Sequence, residues 1–447
     1  MTSPLLADLG TALRGGAATA ARLVDEAFAR IDDPRGQGRV AFISVDREGA
    51  RRAADASDAR RRAGRPISPL DGVPVSIKDL FDVAGQTTTA GSRVLAGAPP
   101  AARDAAAVAR LRAAGAILMG RTNMTEFAFS GIGLNPHYGT PLAAYDRATG
   151  RIAGGSSSGA AVSVAEGMAH AALGTDTGGS IRIPAAFCGL VGFKPTASRV
   201  PREGAYPLST SLDSIGPIAR SVACCAAIDA VLAGETPVTR ALPLQGLRLA
   251  VPDGVLLDRL DGEVAAAFEA ALHNLSRQGA NIVHAASAAI SGAARSGVQG
   301  IVASAEAWAL HRDGFAERAD AYDPRVAVRV RAGLGIPGAE YVEAVRLRAA
   351  LAQRWAHECE GIDAVLAPTV ACVPPPLAAL ERSDREYDRA DLRALRGTSI
   401  VNALDGCALS IPCHREGEPP VGLTVAAPAG RDRGVLAAGM AIEAALA

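Results

Sequence analysis

Gly154-Gly-Ser-Ser-Ser-Gly159, Gly174-Thr-Asp-Thr-Gly-Gly-Ser180-Ile-Arg182 and Gly192-Phe-Lys-Pro-Thr196 punctuate one apolar stretch, residues 154–196. Glycine and serine density rises sharply there while the flanking sequence stays apolar, so these are structured loops and not a flexible linker. The first motif leads into a helix over 160–165. A strand over 169–173 follows, and the second motif leaves it toward a helix over 183–188. Loop, helix, strand, loop and helix in succession predict α/β architecture.

The same alternation extends outward in both directions. Upstream, the valines and isoleucine of Asp71-Gly-Val-Pro-Val-Ser-Ile-Lys78 alternate as in a strand. A helix over 104–114 precedes a short buried strand over 116–119. Residues 1–65 read as helical, with apolar positions at helical spacing over 20–31 and 48–62. Arg60, Arg61 and Arg62 read as a solvated helix end in preference to a phosphate patch. Downstream, strands over 247–251, 365–367, 408–411 and 422–425 alternate with helices over 263–275 and 339–357 and one from 434. The expectation is one α/β domain spanning 1–447. Its parts are an N-terminal helical segment (1–65), a core (66–220), a variable region (221–400) and C-terminal strands and helix (401–447). Residues 235–245 read as a surface link.

Composition narrows the function. The 46 basic residues balance 46 acidic ones, so there is no cationic surplus to coat nucleic acid or anionic membrane. Hydrophobic residues at 49% against 21% charged supply a substantial core. The 7 cysteines form no C-x-x-C pair and the 7 histidines no H-E-x-x-H. Neither a disulfide framework nor a metal is therefore expected. The N-terminus lacks a signal-peptide pattern and no apolar run reaches about 18 residues. The expectation is a soluble, cytoplasmic, reduced protein.

Lysine usage is the sharpest compositional signal. Lys78 and Lys194 are the only lysines among 46 basic residues. Arginine stays protonated at any working pH, whereas a desolvated lysine can fall from ~10.4 to near neutrality and act as a base. The other reading is survival from a compositional bias. Lys194, before a proline, reads as structural. Lys78 is the catalytic candidate, because in a strand Asp79 points to the opposite face and need not neutralise it.

The glycine-flanked serines offer nucleophiles for such a base. Gly155-Ser-Ser-Ser-Gly159 formally fits the G-x-S-x-G elbow with Ser157 reactive. No buried strand precedes it, however, and a loop capping the next helix is the competing reading. In the second motif, adjacent glycines let the backbone approach a ligand, and the amides of residues 177–180 can line one concavity. Such amides stabilise an acyl-transfer oxyanion, with Ser180 as the nucleophile. A phosphate-binding turn competes, but no Walker lysine accompanies it. For Arg182, carboxylate binding and an internal ion pair with Asp176 both stand.

Taken together, these motifs resemble those of the amidase signature hydrolases. The resemblance covers Gly72-Val-Pro-Val-Ser-Ile-Lys78-Asp79, Gly120-Arg-Thr-Asn-Met-Thr-Glu-Phe127, the two serine motifs with Ser180 falling 24 residues after Ser156, Gly192-Phe-Lys-Pro-Thr196, Ser211-Leu-Asp-Ser-Ile-Gly-Pro217 and Pro420-Val-Gly-Leu423. It runs from about residue 70 to the C-terminus, and over 221–400 the match is loose. It implies a large twisted mixed β-sheet covered by helices on both faces. Ser180 would be the nucleophile, Ser156 the bridging serine after a cis peptide, and Lys78 the base. Thr177, Gly178, Gly179 and Ser180 would form the oxyanion hole, supported by Asp176 and Arg182. Phe127, Ser130 and Ile132 would contact the substrate together with Ser156, core packing being the other reading for those three. The loop over 368–377 would either cover the site or serve as a rigid connection.

The implied reaction is hydrolysis of a small amide without a cofactor. The alternative is the glutaminase subunit of a tRNA-dependent amidotransferase. A homodimer and a small partner subunit both stay open. Ser158 occupies a position where the family pattern has glycine, a change expected to spare the triad while narrowing the loop or altering helix packing.

Overall fold

In the computed structural model, which describes residues 4–447, 11 strands form one mixed sheet. In chain order they are β1 (Phe42–Val45), β2 (Pro74–Lys78), β3 (Ile117–Thr122), β4 (Ala171–Asp176), β5 (Val191–Lys194), β6 (Ser214–Ala219), β7 (Arg248–Pro252), β8 (Asn281–Ala285), β9 (Ala364–Pro368), β10 (Cys407–Pro412) and β11 (Gly422–Ala427). Across the sheet they run β1-β3-β2-β4-β6-β5-β10-β11-β9-β7-β8. The contacts β3–β2, β2–β4, β9–β7 and β7–β8 are parallel and the others antiparallel.

Strands β2, β3, β4, β5, β6, β9 and β11 are buried at every residue. A sheet with no wet face needs helices on both sides, which is the expected layered α/β arrangement. Val75, Ile77, Leu173, Phe193, Leu409 and Val425 belong to the main apolar cluster. The N-terminal helices Ala20–Asp32 and Arg47–Arg62 bury Val24, Phe28 and Ala54 against Ile117 and Met119 of β3. Each is opened by a capping side chain: Thr19 accepts from the Arg22 amide, and Asp46 from the Gly49 amide.

The elements around the expected site lie close to where the alternation put them. The N-terminal segment differs, since residues 42–45 of the expected helical stretch instead pair as β1 along the edge of β3. Among the described residues no helix is long and apolar enough to cross a membrane. All seven cysteines are free thiols.

Candidate active site

Lys78 ends β2, and the neighbouring parallel strand β4 brings Thr175 beside it. The lysine is completely buried, and its Nζ donates to Ser156 Oγ at 2.7 Å and to Thr175 Oγ1 at 2.9 Å. Burial pulls it down from 10.5 to about 7 against the opposing charges of Asp213 and Asp176. The adjacent Asp79 does turn away. Its carboxylate pairs with Arg121 Nε at 2.5 Å and accepts the Gly91 amide at 3.1 Å. The second lysine, Lys194, donates to the carbonyls of Pro195 and Gly406, tying β5 to the turn before β10.

Ser156 follows a cis Gly155–Ser156 peptide and lies in the loop entering the helix Ser158–Ala165. Ser180 ends the loop after β4, just before the helix Arg182–Phe187. The two loops are joined where the Ser157 amide donates to Ser180 O at 3.3 Å. No hydrogen bond joins the Ser156 and Ser180 hydroxyls in this state. Catalytic contacts are often long before substrate arrives. The Ser157 hydroxyl is turned toward Thr175 O at 3.5 Å, away from any nucleophile elbow. Ser158 packs its Cβ against Gly133, and its hydroxyl lies 3.5 Å from Asn123 O.

Among the described residues no acceptor takes the N–H groups of Thr177, Gly178, Gly179 or Ser180. This leaves four consecutive N–H donors in the loop that ends at Ser180. Thr177 Oγ1 donates to Asp213 Oδ1 at 2.5 Å. Burial pushes the Asp213 carboxyl up to about 6 against its hydrogen bonds from Thr177, Ser209 and Leu208.

Asp176 and Arg182 form a wholly buried pair, with Nη2 to Oδ1 at 2.9 Å and Nε to Oδ2 at 3.0 Å. Burial alone would raise the Asp176 carboxyl, but the Arg182 guanidinium outweighs it and holds the group at about 2. Asn402 donates to the same carboxylate at 2.9 Å and accepts from Arg182 at 2.7 Å. Of the two readings for Arg182, the internal pair is what the fold contains. Arg182→Met is therefore expected to strand a buried charge and cost about 3–5 kcal/mol of stability. Denaturant unfolding reads this directly, and a loss below about 1 kcal/mol would contradict it.

The side chains of Phe127, Ile132 and Ser130 each have partners of their own within the fold. Phe127 is buried in an aromatic group, its ring centroid 4.4 Å from His311 and 5.4 Å from both Tyr206 and Tyr322. Ile132 packs among Leu134, Ile152, Ile183 and Phe187. Ser130 donates to Asp391 at 2.8 Å. The backbone between them does approach the site: the Gly155 amide donates to Gly131 O at 2.8 Å, and Gly131 and Gly178 both abut Leu395. Residues 368–377 are pinned to the segment before Gly154, with Arg151 bonded to Pro374 O and the Ile152 amide to Pro375 O.

A cavity of about 490 Å³ is lined by Thr175, Val200, Arg202, Tyr206, Asp213 and Ile215 and so includes the threonine that accepts from Lys78, though not Lys78, Ser156 or Ser180 themselves. Larger cavities of about 1060 and 920 Å³ touch none of Lys78, Ser156 or Ser180. Among the described residues no group of three or more His, Cys, Asp or Glu is placed to hold a metal.

Thr175, Asp213, Asn402, Gln299 and Thr398 were not assigned roles from sequence. Thr175 and Asp213 lie inside the quoted motifs, where their polarity was the available signal. The other three have no local pattern.

The family model described as Amidase matches residues 22–436. The chain is 37% identical to a 2-amino-5-chloromuconic acid deaminase of Comamonas testosteroni, over 98% of this chain and 95% of that one. It is also 37% identical to a glutamyl-tRNA(Gln) amidotransferase subunit of an Anaeromyxobacter species (strain K), over 94% and 91%. A crystal structure of an amidase superposes with a TM-score of 0.89 at 37% identity, covering 99% of both chains.

Proposed function

Because this chain belongs to the amidase family, we propose that it hydrolyses the C–N bond of a small carboxamide through Lys78, Ser156 and Ser180. Neutral Lys78 accepts the Ser156 proton as Ser156 accepts that of Ser180. The Ser180 oxygen then attacks the amide carbonyl. The free amides of residues 177–180 receive the developing oxyanion, and the relay returns a proton to the departing nitrogen. Water, deprotonated by the same relay, opens the acyl-enzyme and releases the acid. The observation that supports this reading is the buried 2.7 Å contact between Lys78 Nζ and Ser156 Oγ, a low-pKa amine against the hydroxyl that would relay the Ser180 proton.

The domain is read as one catalytic unit over 1–447. A reducing cytoplasmic setting suits its seven free thiols. The substrate class is open to direct measurement. Purified protein is expected to release ammonia from at least one member of a panel of aryl, alkyl, amino-acid and urea-like amides, and Ser180→Ala to release none.

A second reading, a glutaminase working with a partner, is favoured by the likeness, over 94% of the chain, to an amidotransferase subunit. Glutamine turnover that appears only when a partner is added would select it. Turnover of small amides by the chain alone selects the first.

A further inference from the structure

Four consecutive carbonyls of the loop leading to Ser180 are each held by a donor. Ser214 Oγ at 2.9 Å and Asn402 Nδ2 at 3.2 Å donate to Asp176 O, and Gln299 Nε2 donates to Thr177 O at 3.4 Å. Thr398 Oγ1 donates to Gly178 O at 2.6 Å, and the Ile183 amide to Gly179 O at 2.7 Å. These peptides are trans, and in a trans unit the C=O and N–H point in opposite directions. Fixing the carbonyls therefore turns the amides of residues 177–180 away from those donors, and these are the amides that find no acceptor among the described residues.

The Gly178–Gly179 unit needs such holding most. Two glycines allow close approach to a substrate but have little conformational preference of their own. Gly179 sits at φ 139°, and a Cβ there would lie 2.3 Å from Thr398 Oγ1. The threonine thus abuts the loop it bonds. A threonine hydroxyl within a helix ordinarily returns to a carbonyl of its own preceding turn. Here Ala394 O and Leu395 O lie 3.5 and 3.3 Å away, and the shortest contact goes to Gly178 O instead.

We infer that Thr398, assisted by Gln299, is a positioning residue that aims the Gly179 and Gly178 N–H groups at the developing oxyanion without touching the reacting atoms. This rests on the acyl-transfer reading of Ser180. Its physical content is that the oxyanion hole is held from the helix Asp384–Ala403 and the helix Val298–His311, both outside the glycine-serine loops.

Removing one oxyanion donor typically costs ~10²–10³ in turnover, and misaiming one costs a part of that. Thr398→Val keeps the β-branched shape and removes the donor, whereas Thr398→Ser keeps the donor. On the best amide from the panel, Thr398→Val is expected to lose ~10–100-fold in kcat with KM nearly unchanged and the same pH inflection as the parent. Thr398→Ser is expected to recover most of that loss. Parental kcat in Thr398→Val overturns the inference, as does an equal loss in both variants, which marks a packing role. If Thr398→Val fails to fold, Gln299→Leu on the partly exposed neighbouring helix decides. A several-fold fall in kcat alone supports the inference and parental kcat overturns it. Ser180→Ala run in parallel separates the two claims. An inactive Ser180→Ala beside a fully active Thr398→Val removes only the positioning role. An active Ser180→Ala removes the acyl-transfer reading and this inference with it.

Discussion

Ser180→Ala is expected to lower amide hydrolysis by at least ~10⁴-fold while leaving the fold and its melting temperature nearly unchanged. The loop carries two hydroxyls, and that of Thr177 is engaged by Asp213, which leaves the Ser180 hydroxyl as the proposed nucleophile. Loss of a serine nucleophile in a coupled relay removes almost the whole covalent advantage. The residual activity comes from oxyanion donors and substrate binding. Structural cost should be small, because no hydrogen bond from the Ser180 hydroxyl supports the fold; the Ser180 carbonyl, which accepts from the Ser157 amide, survives the substitution. Steady-state kinetics with circular dichroism separates the outcomes. Retention of more than about a hundredth of the activity would move the nucleophile elsewhere.

Lys78→Arg is expected to be nearly as damaging, a loss of ~10³-fold or more that no rise in pH repairs. A guanidinium cannot shed its proton at working pH, and its planar head is larger than the ammonium seated between Ser156 and Thr175. Lys78→Met should be equally inactive but informative in stability. The lysine titrates near 7 in the folded chain against 10.5 ordinarily. Between those values the unfolded chain holds a proton that the folded chain lacks, so the burden on folding is full below about 7 and fades toward about 10. Lys78→Met is therefore expected to raise the melting temperature most near pH 6 and least near pH 10. A gain that grows with pH would contradict the buried, low-pKa lysine.

Much of this site was legible because its parts are local. The alternating valines of β2 placed Lys78 on a strand, the glycine pairs marked the loops, and strand geometry explained why Asp79 turns to Arg121. The missing elements have physical reasons. Strand β1 is four residues between helices, and its strand character comes from pairing with β3. In β6, Pro217 and Gly216 argue against a strand, yet β6 lies between β4 and β5. The donors that hold the Ser180 loop were invisible for another reason. Thr398 lies 220 residues from Gly178, Asn402 226 from Asp176 and Gln299 122 from Thr177. A lone polar residue on a helix carries no period that reveals a distant carbonyl.

The relay itself is tested most directly by the pH dependence of Ser180 acylation, followed by intact-protein mass in single-turnover mixing with a reactive amide or ester. With an uncharged Lys78 as the base, the acylation rate should climb roughly tenfold per pH unit on the acid side and level off above about 7. The climb should vanish, along with nearly all the rate, in Lys78→Met. A rate independent of pH across that range, or a Lys78→Met protein acylated as fast as its parent, would show that this lysine does not drive the chemistry.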